Sequence, residues 1–262
     1  MQSTHFDITS FQNHLRSQWL GHELVYEPEL SSTNTCAKSI NKGEVCHGTV
    51  VITDNQSGGR GQYERAWLSN PAENLTFSMI FEPSKHDALT LLTMACALSI
   101  AQMLESECEI MAKLKWPNDV MVGENKIAGL LTETQFNGRN LSRLVVGIGL
   151  NVNQLQFGPD HGNATSCKKE SGKSWPREKL LAVLLSRIEY NYMLWQKLSG
   201  DLLCSVNQRL VGHGEWVHLI INGELSEERM KLVGVGEDGV LQVIDKAMNV
   251  HRYDHEQVRI KL

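Results

Sequence analysis

The stretch Lys113-Leu114-Lys115-Trp116-Pro117-Asn118-Asp119-Val120-Met121-Val122, a tight connection at Gly123-Glu124-Asn125, and then Lys126-Ile127-Ala128-Gly129-Leu130-Leu131 decides the fold class. Both apolar runs alternate or carry β-branched residues, and Gly-Glu-Asn between them is turn chemistry, so two strands are expected side by side in a sheet. The polar load does not fit a plain hairpin. Trp116-Pro117-Asn118-Asp119 interrupts the first strand with a ring, a fixed φ, an amide and a carboxylate, and Lys126 opens the second. Proline belongs at a strand edge or bulge, where side chains are re-aimed. Taken singly each residue has an ordinary explanation, a solvated lysine or a turn after proline. Together they set many hydrogen-bonding groups beside buried apolar residues, where unpaired polar groups are costly, and they mark a candidate site.

Downstream, the run ending Gly147-Ile148-Gly149-Leu150-Asn151-Val152-Asn153 reads as another buried strand, with glycines where a ligand or backbone passes closely and asparagines at its end. Upstream, residues 75–81 alternate as a strand after the turn-forming Ser69-Asn70-Pro71. Residues 87–104 have helical apolar spacing with Asp87 as the expected cap, and Met94, Leu98 and Met103 belong to the core face of that helix.

Further upstream, Thr49-Val50-Val51-Ile52-Thr53 is a β-branched strand that empties into Asp54-Asn55-Gln56-Ser57-Gly58-Gly59-Arg60-Gly61-Gln62-Tyr63-Glu64-Arg65-Ala66-Trp67. Glycines let backbone N–H groups approach an anion, and guanidinium groups supply forked donors for carboxylate or phosphate. The loop is neither a Walker loop nor a Rossmann fingerprint. A plain surface loop is the alternative; the paired arginines and the terminal tryptophan favour a ligand loop. Residues 7–20 carry Ile8, Phe11, Leu15 and Trp19 at near-helical spacing and stop at Gly21, a helix too short to be a DNA-reading unit. Leu24-Val25-Tyr26 reads as a strand leading to Ser31-Ser32-Thr33-Asn34, where hydroxyl and amide groups suit the N-cap of a helix over 35–40; a cap and nothing more is the simpler account of Ser32 or Thr33.

Beyond the central strands, residues 163–174 read as a polar, mobile loop before Trp175-Pro176. Pro176 then suits the first turn of a long amphipathic helix through Leu184, Ile188 and Trp195, and a short helix is expected over 202–210. After Gly212-His213-Gly214 the period changes to two. Strands over 216–221, 229–235, 240–244, 250–253 and 258–262, with turns at Asn222-Gly223 and Glu237-Asp238-Gly239, describe a small barrel. The expected division is therefore a domain over 1–213 and a second over 214–262. His251 and His255 are expected at the surface rather than on a metal.

The 262 residues are 41% hydrophobic and 21% charged, an ordinary globular balance. A net charge of -5 argues against a nucleic-acid binder working through a basic face. The six cysteines form no C-x-x-C pair, so free thiols are expected rather than a zinc knuckle or disulfide framework. No signal segment is read at the N-terminus, and no apolar run is read as long enough to span a bilayer, which leaves the cytoplasm as the expected location.

Several separated pieces resemble one family, the biotin protein ligases. Ser32-Thr33-Asn34 is similar to that family's S-T-N, and Gly59-Arg60-Gly61 to Trp67 resembles its G-R-G-R-x-x-R-x-W loop. Lys115-Trp116-Pro117-Asn118-Asp119 with Lys126-Ile127-Ala128-Gly129-Leu130-Leu131 resembles its K-W-P-N-D and K-x-x-G-I-L, and Gly147 to Asn153 its G-I-G-I-N-V-N. The resemblance implies an α+β fold of the class II aminoacyl-tRNA-synthetase-like, biotin/lipoate ligase type, a mixed, mainly antiparallel sheet packed with helices, plus a small C-terminal Src-homology-3-like β-barrel. It also implies the reaction: biotin and ATP give biotinyl-5′-AMP, and biotin passes to one lysine of a carboxylase's biotin carboxyl carrier domain. No enzyme nucleophile is needed, which agrees with the lack of a Ser-His or Cys-His signature.

By this resemblance Ser32, Thr33, Asn34 and Gln56 face the biotin ring, while Gly59, Arg60, Gly61, Gln62 and Gly129 close round it. Trp67 stacks on adenine, with Asn118, Asp119 and Asn151 near the nucleotide. Arg65 and Lys126 face the phosphates as the catalytic cations, Lys126 reaching also toward the biotin carboxylate. ATP implies Mg2+, with no dedicated carboxylate cage in the sequence and Asp119 the nearest acid. Gln62 stands where the family has a second loop arginine, and this departure makes the loop less cationic than the pattern. About thirty residues precede Ser32, too few for the winged helix of many members, so the short form without nucleic-acid or membrane partners is expected, as monomer or homodimer. The alternatives are a lipoate or octanoate ligase or transferase of the same fold, and a biotin-sensing protein without chemistry.

Overall fold

The quoted stretch folds as three strands rather than two. In a computed structural model that describes residues 5–41, 43, 46–61, 66–82, 88–138, 140–159 and 163–261, the chain runs α1 (Ile8–His14), β1 (Leu24–Leu30), α2 (Thr33–Ser39), β2 (Val50–Gln56), β3 (Leu75–Phe81), α3 (Leu89–Cys108), β4 (Lys113–Lys115), β5 (Asp119–Val122), β6 (Asn125–Asn137) and β7 (Asn140–Leu150). It continues through α4 (Cys167–Ser171), α5 (Arg177–Gln196), α6 (Gly200–Arg209), β8 (Trp216–Ile221), β9 (Glu224–Leu225), β10 (Met230–Val235), β11 (Leu241–Ile244), β12 (Val250–Tyr253) and β13 (Val258–Lys261). Lys115 pairs with Asp119 across an antiparallel β4–β5 ladder, so Trp116-Pro117-Asn118 is itself a reversal and not a break in one strand. Proline has no N–H to give a ladder, which suits the turn. The reversal is tied down on both sides. Asn118 Nδ2 donates to the Leu130 carbonyl at 2.8 Å, and the buried Trp116 ring donates through Nε1 to the Gly239 carbonyl at 3.1 Å.

The large sheet has the order β1-β2-β3-β7-β6-β5-β4, parallel only between β1 and β2. Strand β3, paired between β2 and β7, is buried along its whole length. One face packs on α3 and α5; the other receives α2 through Ala37, Val51, Ile80 and Val145. Alternation then assigns Thr76 and Ser78 of β3, Gly147 and Gly149 of β7, and Gly129 and Leu131 of β6 to the α2 face. A second sheet of order β12-β11-β10-β8-β13, with β9 on β8, curls into a small barrel-like unit whose Leu219, Leu232, Leu241 and Val243 belong to the same contiguous core. Asn222 and Gly223 turn its first hairpin at φ of 51° and 90°, as their sequence implies.

Four expectations need correction or limits. The first helix ends at His14, not near Leu20, because the buried Glu189 carboxylate of α5 accepts the N–H groups of Gln18, Trp19 and Leu20 at 2.7 to 2.9 Å and holds them out of a helix. Residues 163–174 contain α4, and buried Thr165, Ser166 and Cys167 pack there because their polar groups are answered internally, Ser166 Oγ by the Gln154 carbonyl and the Thr165 carbonyl by Asn151 Nδ2. By length and a mean hydropathy of 1.4, α3 is apolar enough to cross a membrane, contrary to the sequence reading; most of it is buried against α5 and the sheet, the pattern of a core helix. Asp87 lies outside the described residues, and α3 begins after Ala88, with no side-chain cap among the described residues. All six cysteines are free thiols.

Candidate active site

A pocket opens on the α2 face of the large sheet, at the point where the β6–β7 ladder carries glycines. Gly129 pairs with Gly149, and Leu131 with Gly147. A Cβ on Gly149 would stand 2.1 Å from the Trp67 ring, and one on Gly147 2.2 Å from Asn34 Oδ1. Only backbone without side chains lets an indole and an amide lie this close to a sheet.

One wall comes from the start of α2. Ser32 caps this helix, its Oγ accepting the Thr35 N–H at 3.4 Å, and it also lines the pocket. The Thr33 N–H donates to Gln56 Oε1 at 2.9 Å, and Asn34 Nδ2 donates to Glu133 Oε2 at 2.7 Å. A second wall is the glycine-rich loop. Trp67 N–H donates to the Gly59 carbonyl at 2.9 Å and Arg60 bridges to Ala66, which folds the loop back over the sheet. The Arg60 guanidinium reaches Thr35 Oγ1 at 3.0 Å and lies 3.7 Å from Glu133.

At the far end stands Lys126. Its ammonium lies 2.6 Å from Asp119 and 5.8 Å from the Trp67 ring centroid. Its backbone is gripped from outside, N–H to the Asn163 carbonyl at 2.8 Å and carbonyl from the Thr165 N–H at 3.0 Å. The space enclosed is about 60 Å³. Trp67 fills much of the room above Gly149, and its Nε1 is buried without a hydrogen-bond partner among the described residues. Glu133 behind the pocket stays ionised: partial burial opposes this, but hydrogen bonds from Lys38 and Asn34 and the charges of Lys38 and Arg60 outweigh it and hold the carboxyl below its ordinary range.

Of the residues singled out in the sequence, Ser32, Thr33, Asn34, Gln56, Arg60, Gly61, Trp67, Asn118, Lys126 and Gly129 line this one pocket. Gly59 stands behind it against Gln56 and the Trp67 backbone, and Asp119 reaches it through Lys126. Asn151 does not line it; buried, it holds the 163–165 segment beside Lys126 through the Thr165 carbonyl. Gln62 and Arg65 lie outside the described residues. Thr76, Leu130, Leu131, Gly147, Ile148 and Gly149 complete the lining and were not assigned roles from sequence; the G-x-G spacing on β7 was the available signal. Among the described residues lining the pocket there is no cysteine or histidine, and the arrangement supplies hydrogen-bonding groups at one end and a cation with an indole at the other.

Residues 26–151 match the biotin/lipoate A/B protein ligase family. The chain is 30% identical over 287 aligned positions to biotin–protein ligase 2 of Arabidopsis thaliana, an alignment covering 98% of this chain and 83% of that protein. This chain belongs to the biotin/lipoate A/B protein ligase family. Within that family it is also 32% identical over 185 residues to the bifunctional ligase/repressor BirA of Bacillus spizizenii, across 68% of this chain. It spans 56% of the length of that relative. Its fold matches biotin protein ligase from Aquifex aeolicus in complex with biotin and ATP at a TM-score of 0.80 and 30% identity, covering 92% of this chain and 99% of the other. The α+β family fold with its small terminal barrel is thus the fold of this chain.

Proposed function

We propose that this protein is an ATP-dependent biotin protein ligase. A biotin carboxylate oxygen attacks the α-phosphorus of ATP and pyrophosphate leaves; the ε-amine of one lysine on a biotin carboxyl carrier domain then attacks the acyl carbon of the biotinyl-adenylate, forming an amide and releasing AMP and a proton. The observation that carries this reading is the two-ended pocket: neutral donors and acceptors from Ser32, Thr33 and Gln56 at one end, and Lys126 beside Trp67 and Asn118 at the other. A bicyclic urea suits the first end, and a carboxylate meeting a phosphate suits the second. Relatives named as biotin ligases, and a matching structure containing biotin and ATP, support the same reading.

Catalysis here is a matter of position and charge. Holding the carboxylate in line with the α-phosphorus removes the cost of bringing two anions together, and Lys126 stabilises charge that grows on the phosphate as the bond breaks. Arg65 is assigned to the phosphates and Trp67 to the adenine, its indole leaving the sheet floor to stack and its unpartnered Nε1 gaining an acceptor. The carrier lysine is the nucleophile of the second step. Magnesium would come with the ATP phosphates, and Asp119, beside Lys126, is the carboxylate placed to hold it. Bound, it would screen the phosphate charge.

The division into a 1–213 catalytic domain and a 214–262 barrel domain, and a cytoplasmic location, belong to the same proposal. The test is pyrophosphate release by the full chain with ATP and each of biotin, lipoate and octanoate. Release with biotin alone supports the ligase. Release with lipoate or octanoate in its place indicates the other branch of the family, and biotin binding without release indicates a sensor.

A further inference from the structure

Ser78 does not line the pocket, yet hydrogen accounting makes it decide what the pocket offers. It lies fully buried in the middle of β3, beneath the start of α2. Asn34 fixes the first step. Its Nδ2 faces the Leu131 carbonyl at 3.2 Å and Glu133 Oε2 at 2.7 Å, both acceptors, so the amide nitrogen must point there and Oδ1 must point the other way. Oδ1 meets Ser78 Oγ at 2.6 Å. An amide oxygen has no hydrogen to give, so the single hydroxyl hydrogen of Ser78 is committed to it. Ser78 Oγ also lies 2.7 Å from Thr33 Oγ1, and with its own hydrogen spent it can only accept there. Thr33 therefore donates inward to Ser78. The competing acceptor, Gln56 Oε1, is farther from Thr33 Oγ1 at 3.3 Å and already takes the Thr33 N–H at 2.9 Å. What Thr33, a lining residue, has left for the pocket is a lone pair.

We propose that Ser78 is a positioning residue for ligand choice: the series Glu133, Asn34, Ser78 turns the Thr33 hydroxyl hydrogen away from the pocket, so that the wall accepts an N–H from the ligand and rejects a group without one. A cyclic urea presents such an N–H. A dithiolane or a fatty acyl chain does not. The inference rests on the reading of this pocket as a biotin site and adds the residue that sets its polarity. A buried acceptor left unpaired is penalised, which is why a site built to receive an N–H discriminates against the analogue lacking it.

The test is calorimetric binding by the full-length chain of biotin and of the two cyclic carbamates in which one ureido N–H is replaced by oxygen. Wild type is expected to bind biotin and to bind one of the two carbamates on the order of 10- to 100-fold more weakly. In Ser78→Ala the Thr33 hydroxyl loses its inward acceptor and is free to turn its hydrogen toward the ligand, so that ratio is expected to fall to within about threefold of unity. Should Ser78→Ala fail to fold, Ser78→Cys keeps nearly the same volume with a weak donor and acceptor, and its ratio is expected to lie between the two. A purely structural Ser78 would weaken all three ligands by one factor and leave the ratio unchanged, which overturns the inference while the biotin reading stands. If wild type binds no biotin, with or without ATP, the site reading fails and the inference with it.

Discussion

The Lys126 ammonium lies 2.6 Å from the Asp119 carboxylate, across the paired strands β5 and β6, directly over Gly129. Asp119 follows the Trp116-Pro117-Asn118 reversal and Lys126 follows the next turn, so two tight turns aim one ion pair into the pocket. Both partners are partly solvent-exposed, and the pair adds little to stability. Its consequence under the proposed function is positional: the cation is held where the two substrate anions would meet. Asp119→Asn is expected to leave the melting temperature within a few degrees and to slow single-turnover adenylate formation by about 10- to 100-fold, because a misplaced stabiliser loses most of its effect.

Trp67 is assigned to the adenine. Trp67→Ala is expected to weaken nucleotide binding by roughly 1 to 3 kcal/mol, the value of a base stacked on an aromatic ring, while biotin affinity changes much less. Calorimetry with each ligand separately decides it, and an unchanged ATP affinity removes the assignment.

Gly149→Ala would put a methyl group 2.1 Å from the Trp67 ring. The indole must then leave the sheet, and nucleotide affinity is expected to change in Gly149→Ala but hardly at all when the same substitution is made in Trp67→Ala. A double-mutant cycle reports the coupling. Additive losses would mean that the glycine serves something other than the ring.

A stability prediction concerns Asp54, whose carboxylate pairs with buried Arg177 at 2.7 Å and accepts from the Tyr26 hydroxyl at 2.6 Å. Burial alone would raise its pKa; the hydrogen bonds from Tyr26 and Arg177 and the Arg177 charge outweigh burial and lower it. A depressed carboxyl contributes stability that is fully present above its unfolded value, about 3.9, and is lost as pH falls through the lower folded value. Asp54→Asn leaves the Arg177 charge buried and unpaired. It is expected to cost roughly 3 to 5 kcal/mol at pH 7, and to flatten the acid limb of the urea-denaturation profile below about pH 4.

The strand content and the site lining were legible because each rested on local chemistry: alternation gave β3, a buried apolar run gave β7, and the glycines, amides and lysine sat in short motifs. The reversal at Trp116-Pro117-Asn118 was not, since β4 is only three residues long and a strand that short carries no periodicity of its own. Nor was the early end of α1, because the Glu189 carboxylate that captures its following N–H groups is some 170 residues away in sequence. Glu133 and Ser78 escaped for the same reason. Each is one polar residue in a strand, and its partners come from α2.

The central claim is that Lys126 stabilises the charge developing as biotin meets the α-phosphate. Lys126→Met keeps most of the apolar stem, so the strand and the fold are expected to survive. Pre-steady-state adenylation by this variant, at saturating biotin and ATP, is the measurement that tests the claim most directly. A fall of about 10²- to 10³-fold, roughly 2.7 to 4 kcal/mol, is what a lost transition-state stabiliser gives. A rate within about threefold of wild type would make Lys126 a solvated charge at a strand edge and would contradict the account.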